Sequence, residues 1–110
     1  MSTPFEAIAN LDKLVHEPAR LAVLTALSAC ESADFIFLRR LTGLSNGNLS
    51  IQVSKLEEAG LVTVQKQIVN KRSNTNISIT ERGADVTRQY WEQINALKQN
   101  AEAWKDGQGG

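Results

Sequence analysis

Apolar residues fall into two rhythms along this chain: helical spacing through most of it, and a short alternation between residues 61 and 80. Phe5, Ile8, Leu11, Leu14 and Val15 recur at helical spacing and predict a short amphipathic helix over residues 5–15. Glu17-Pro18 restarts the chain, because proline suits the first turn of a helix and not its interior. From Pro18 to about Ala29, Leu21, Leu24 and Thr25 mark one face while Val23, Leu27 and Cys30 mark another. A helix apolar on nearly all sides is a buried one, so this segment is expected to be the central post, with Cys30 a small core residue.

Asp34 is placed to cap a third helix that turns Phe37, Leu38 and Leu41 inward and Arg39 and Arg40 outward. Gly43 is the permissive residue for a tight turn, and Ser45 caps the helix that follows. There Leu49, Val53 and Leu56 repeat at i, i+4 and i+7 and face the core, and Gly60 ends the helix in a left-handed conformation. Val62, Val64 and Ile68, then Ile77 and Ile79, alternate across two strands, 61–69 and 76–80, joined by the polar, basic loop Asn70-Lys-Arg-Ser-Asn-Thr75. Two helices joined by a short turn and leading straight into a hairpin make the frame of a winged helix-turn-helix, whose second helix enters the DNA major groove. The expected fold class is therefore mainly α with a small β-hairpin, closed by a long C-terminal helix.

Thr80 caps that last helix, which runs to about Trp104. Thr87, Ile94 and Ala101 lie seven apart, as do Tyr90, Leu97 and Trp104, a heptad a/d seam over nearly three repeats. Such a seam packs on the chain's own N-terminal helix, pairs with a second copy, or does both. The expected dimer interface joins both terminal helices through Phe5, Ile8, Leu11, Tyr90, Ile94, Leu97, Ala101 and Trp104. The organisation that follows is an N-terminal helix over 1–15, a winged helix over 16–80, a dimerisation helix over 81–105 and a flexible tail over 106–110.

Composition narrows the function. At 110 residues, with 42% hydrophobic and 22% charged positions, the chain has the balance of one globular domain. No membrane span or basic signal sequence is expected, which makes a cytoplasmic location the default. One cysteine and one histidine exclude an intramolecular disulfide and a Cys/His metal cluster, and no cofactor is expected. No nucleophile–base pair, carboxylate pair or phosphate-binding glycine loop stands out, so an enzyme is not expected; Glu57-Glu58 reads as helix surface. The formal net charge is zero, yet residues 1–38 sum to −3, residues 39–75 to +4 and residues 76–110 to −1. Positive charge thus gathers on the segment assigned to DNA.

Three stretches resemble the winged-helix transcriptional regulators, particularly the short, stand-alone relatives of the MarR- and ArsR-like branches. Pro18-Ala-Arg-Leu-Ala-Val-Leu-Thr-Ala-Leu27 looks like their opening helix. Leu44-Ser-Asn-Gly-Asn-Leu-Ser50 with Val53-Ser-Lys-Leu-Glu-Glu-Ala-Gly-Leu-Val62 looks like their recognition helix and first wing strand, and Ile79-Thr-Glu-Arg-Gly83 like the close of the wing. The likeness covers about residues 15–83. It departs from the metal-sensing ArsR proteins in lacking their paired cysteines, and from the longer MarR proteins in lacking their further C-terminal helices.

A helical step of about 100° places Gly47, Ser50, Ile51, Ser54 and Lys55 on the outer half of the recognition helix, flanked by Asn46, Asn48 and Gln52. Amides and hydroxyls there suit base edges, and Ile51 suits a thymine methyl, although an exposed isoleucine is also ordinary surface. Arg39, Arg40, Lys55, Lys71 and Arg72 are candidates for phosphates, with Ser45 and Ser73 beside them. The expected protein is a dimeric repressor of double-stranded DNA reading a pseudo-palindrome. The rival is a winged helix that binds another protein and no DNA. A small-molecule effector between the terminal helices, against Phe5, Tyr90, Trp91 and Trp104, is a separate open question, since those aromatics serve equally as dimer core.

Overall fold

The computed structural model describes residues 3–104. Along the chain lie α1 (Pro4–Ala9), α2 (Pro18–Cys30), β1 (Ser32–Asp34), α3 (Phe35–Thr42), α4 (Asn46–Glu58), β2 (Val62–Val69), β3 (Arg72–Ile79) and α5 (Glu81–Glu102). The three strands form an antiparallel sheet in the order β1-β3-β2. Leu24, Leu27, Leu38, Leu49, Leu56, Leu61 and Ile77 are fully buried where α2, α3, α4 and the root of the hairpin meet. This is the expected winged helix, and its local stops are the expected ones. Asp34 accepts from the Phe37 N–H, Ser45 from the Asn48 N–H and Thr80 from the Gly83 N–H, while Gly43 and Gly60 take positive φ. The tail expected over 106–110 lies outside the described residues.

Several expectations are corrected by packing. The N-terminal helix ends at Ala9 and not near residue 15. The Asn10 side chain donates to the Glu6 carbonyl and Asp12 accepts from the Leu14 N–H, so a turn replaces the helix. That turn delivers Leu11 and Val15 to the core. Cys30 is exposed, because the last turn of α2 overshoots the core. On α3 only Leu38 is buried, while Phe37 and Leu41 stay about half exposed. The inward face of α3 centres on Phe35, Leu38 and Thr42, and a rotation of about 100° per residue carries Phe37 and Leu41 round to solvent. Strand β1 was not expected, since Ser-Ala-Asp has no strand preference of its own; its pairing with Ser78, Ile77 and Asn76 supplies the stability.

The hairpin connection is also tighter than the loop over 70–75. Val69 pairs with Arg72, leaving Asn70 and Lys71 as a two-residue turn with φ of 52° and 65°. Positive φ at both positions matches the twist of the strands, the geometry that favours such turns in hairpins. Ile68 is 79% exposed despite its place in the alternation, because the outer half of the hairpin projects past the body with no layer beneath it.

Candidate nucleic-acid interface

Helix α4 presents two chemically opposite sides. Leu49, Val53 and Leu56 pack inward, whereas Asn46, Gly47, Ser50, Ile51, Ser54 and Lys55 are exposed on the outside. Ser45 is exposed, but its hydroxyl is engaged as the helix cap. Asn48 is half-buried. Gln52, placed by helical geometry on the readable flank, is instead buried at 9% exposure and joined to the core side by Arg20. Its position lies at the boundary between the two faces, and a guanidinium beneath it draws the amide inward.

The cations surround this face unevenly. Arg40, Lys55, Lys71 and Arg72 are exposed, and so is Ser73; Arg39 is half-buried. Lys71 and Arg72 stand at the tip of the hairpin, and Lys66, paired with Thr75, lies nearer its root. A cleft of about 290 Å³ between α4 and the hairpin brings together Ser50, Ser54, Glu57, Lys66 and Thr75 over Phe35, Val53 and Val64. Lys66 was missing from the candidate contacts; its signal was its place in the basic middle segment. Among the described residues no cluster of three or more His, Cys, Asp or Glu side chains has a metal-binding arrangement.

At the terminal helices the structure shows the packing of the seam within one chain. Leu11, Tyr90 and Leu97 are buried within the single chain, so the a/d seam is largely filled by the protein's own N-terminal segment. Phe5 meets Trp104 edge-to-face at 5.7 Å between ring centroids, and the Tyr90 hydroxyl bonds to His16 Nδ1. Burial pushes the Tyr90 phenol above its ordinary range. Phe5 and Ile8 remain half-exposed, and Ile94, Ala101 and Trp104 are half-buried. The four aromatics fall into two edge-to-face pairs, Phe5–Trp104 and Tyr90–Trp91, the second at 5.5 Å between ring centroids. Trp91 turns to α2, where its indole N–H donates to Thr25 and its ring borders an open groove of about 520 Å³ along Leu21, Ala22, Ala26 and Ala29.

An exposed polar helix beside a basic hairpin, both mounted on a three-helix core, defines the DNA-binding winged helix as a class. The sequence matches the family described as "Winged helix DNA-binding domain" over residues 19–99, and the chain belongs to that family. It is 32% identical over 90 residues to an uncharacterized protein of Methanocaldococcus jannaschii, covering 82% of this chain and 98% of the relative. A transcriptional regulator homologue from Pyrococcus horikoshii has a similar structure, with a TM-score of 0.79 and 25% identity over 87% of this chain and 94% of that one. The PcaV transcriptional regulator of Streptomyces coelicolor shares the fold at a TM-score of 0.70 and 24% identity, over 84% of this chain and 64% of that one. The expected winged-helix family is thereby shown, a DNA-binding one, and the fold is that of solved transcriptional regulators, a MarR-family member among them.

Proposed function

We propose that the protein is a sequence-specific regulator that binds double-stranded DNA as a homodimer and represses by covering an operator. The observation that carries this reading is the pairing of an exposed, amide- and hydroxyl-rich face on α4 with exposed cations on the hairpin. Ser50, Ile51, Ser54 and Asn46 read base edges in the major groove, and Gly47 lets the helix N-terminus approach a phosphate. Arg39, Arg40, Lys55, Lys66, Lys71 and Arg72 hold phosphates, the wing reaching a neighbouring groove. Six cations per subunit allow about a dozen contacts per dimer, each contributing a slope of about −0.9 to the salt dependence.

Support for the dimer comes from shape and from what the seam leaves uncovered. The chain measures 65 × 24 × 21 Å, because α5 and the wing extend from a small body. Phe5 and Ile8 are exposed and Ile94 and Trp104 only half-buried, apolar area that a second copy can cover. Two copies joined there present two recognition helices to half-sites about one helical turn, roughly 10 base pairs, apart. An effector acting at the terminal helices remains part of the proposal; the Streptomyces regulator with this fold is seen in complex with its natural ligand.

Selection from random-sequence and promoter DNA at several salt concentrations, with the particle mass measured in the same sample, tests the reading. Salt-steep, sequence-selective binding by a dimer is the expected result. A folded protein that ignores DNA even at low salt would move α4 and the wing into a protein interface instead.

A further inference from the structure

The buried amide of Gln52 belongs to a chain of hydrogen bonds with only one consistent direction. Arg20 Nη1 donates to Gln52 Oε1 at 3.1 Å, and Gln52 Nε2 donates to Asn48 Oδ1 at 2.9 Å. Arg20 is itself fixed: its Nε donates to the Leu14 carbonyl at 2.7 Å and its Nη2 to the Lys13 carbonyl at 3.3 Å. Glu17 lies 3.9 Å from the guanidinium. A guanidinium has donors and no acceptor, so Gln52 must turn its oxygen toward Arg20. The same amide then presents its NH2 group to Asn48, and an NH2 group can only donate. Asn48 in turn must use Oδ1 for that bond, which leaves its own NH2 group pointing away from the network.

We propose that Arg20 and Gln52 are positioning residues that fix the polarity of Asn48, so that the recognition helix offers DNA a hydrogen-bond donor at that point. This rests on the DNA-binding reading above. Asn48 is half-buried in the first turn of α4, close to exposed Asn46, Gly47 and Ile51. An unconstrained asparagine rotates its amide to suit either a donor or an acceptor on a base. Here rotation would bring Asn48 Nδ2 against Gln52 Nε2, donor against donor, and the fixed guanidinium prevents Gln52 from turning to compensate. The favoured partners are therefore edges bearing acceptors: guanine N7 and O6, adenine N7 or thymine O4. Cytosine, which shows only its N4 donor in the major groove, is selected against.

The test is base selection from random DNA by the full chain and three variants, each checked for thermal unfolding. Asn48→Ala identifies the base position, as the one whose preference disappears. Gln52→Glu keeps the size and the bond to Arg20 but replaces the donor with an acceptor. Asn48 then donates inward and turns Oδ1 to the DNA, and cytosine at that position gains roughly tenfold relative to guanine or thymine. Gln52→Met removes the orienting group and suits a buried site; there the discrimination relaxes without reversing, which supplies the result should the Glu variant not fold. Unchanged preference in Gln52→Glu or Gln52→Met, equal loss at every position, or no position assignable by Asn48→Ala overturns the proposal while leaving DNA binding intact. A wild-type protein that selects no DNA at all overturns the DNA reading and this proposal together.

Discussion

Gly83 sits in the first turn of α5, where the long helix leaves the wing, and no other residue fits there. A Cβ built on it would fall inside 3.0 Å of the Leu61 carbonyl oxygen, a separation real Cβ atoms do not show, and 2.9 Å from Ile79 Cγ1. The carbonyl is backbone and cannot rotate aside. It also accepts the Thr80 N–H at 3.0 Å, so moving it strains the bond that fixes the start of α5. Overpacking costs about 1–3 kcal/mol and the strained hydrogen bond about 1 more, offset by up to about 1 from alanine's helix propensity, giving about 1–4 kcal/mol for Gly83→Ala. A domain this size then melts roughly 5–25 °C lower. Gly47 is the internal control: nothing lies within 4 Å of a Cβ there, and alanine suits a helix better than glycine by up to about 1 kcal/mol. Urea and thermal unfolding of both variants decide the matter. Gly83→Ala within about 0.5 kcal/mol of wild type would falsify the close approach of α5 to the wing root. On DNA the order reverses for Gly47→Ala, which folds as well as wild type or better but binds less tightly if the helix end contacts a phosphate.

Lys71→Gly relieves a left-handed residue in the wing turn and raises hairpin stability by up to about 1 kcal/mol, visible as slower amide exchange in β2 and β3; unchanged exchange argues against that turn geometry. Lys71→Ala combined with Arg72→Ala lowers affinity on all sequences and flattens the salt slope, and an unaltered slope removes the wing from the DNA interface. Ile51→Ala weakens binding chiefly at thymine-containing positions; equal loss on every sequence refutes the methyl contact. The Glu17 carboxyl is held below its ordinary value of 4.5, chiefly by the Arg20 backbone N–H that it caps. Its contribution to stability is therefore complete above that value and is lost as pH falls from about 4.5 through the lowered folded value. Glu17→Gln should lessen the acid sensitivity of the melting temperature over that window, and a variant as acid-sensitive as wild type contradicts the assignment.

What the sequence determined by itself is local. Asp34, Ser45 and Thr80 cap helices through bonds to N–H groups three residues away, and Gly43 and Gly60 permit positive φ wherever the chain goes. Such signals need no distant partner, so the helix-turn-helix and the hairpin were legible, as was the outer face of α4. Tertiary structure decided which of two plausible faces is covered. Leu11 and Val15 left a helical register because the core had room for them at a turn, and Phe37 and Leu41 turned outward because the start of α3 is fixed by β1. Gln52 stands at the boundary between the two faces of α4, where periodicity is indifferent, and only the guanidinium of Arg20, 32 residues earlier, draws it inward. The α5 seam makes the same point: a heptad pattern shows that an apolar edge must be buried, and the arrangement in space determines that the chain's own N-terminal segment buries most of it.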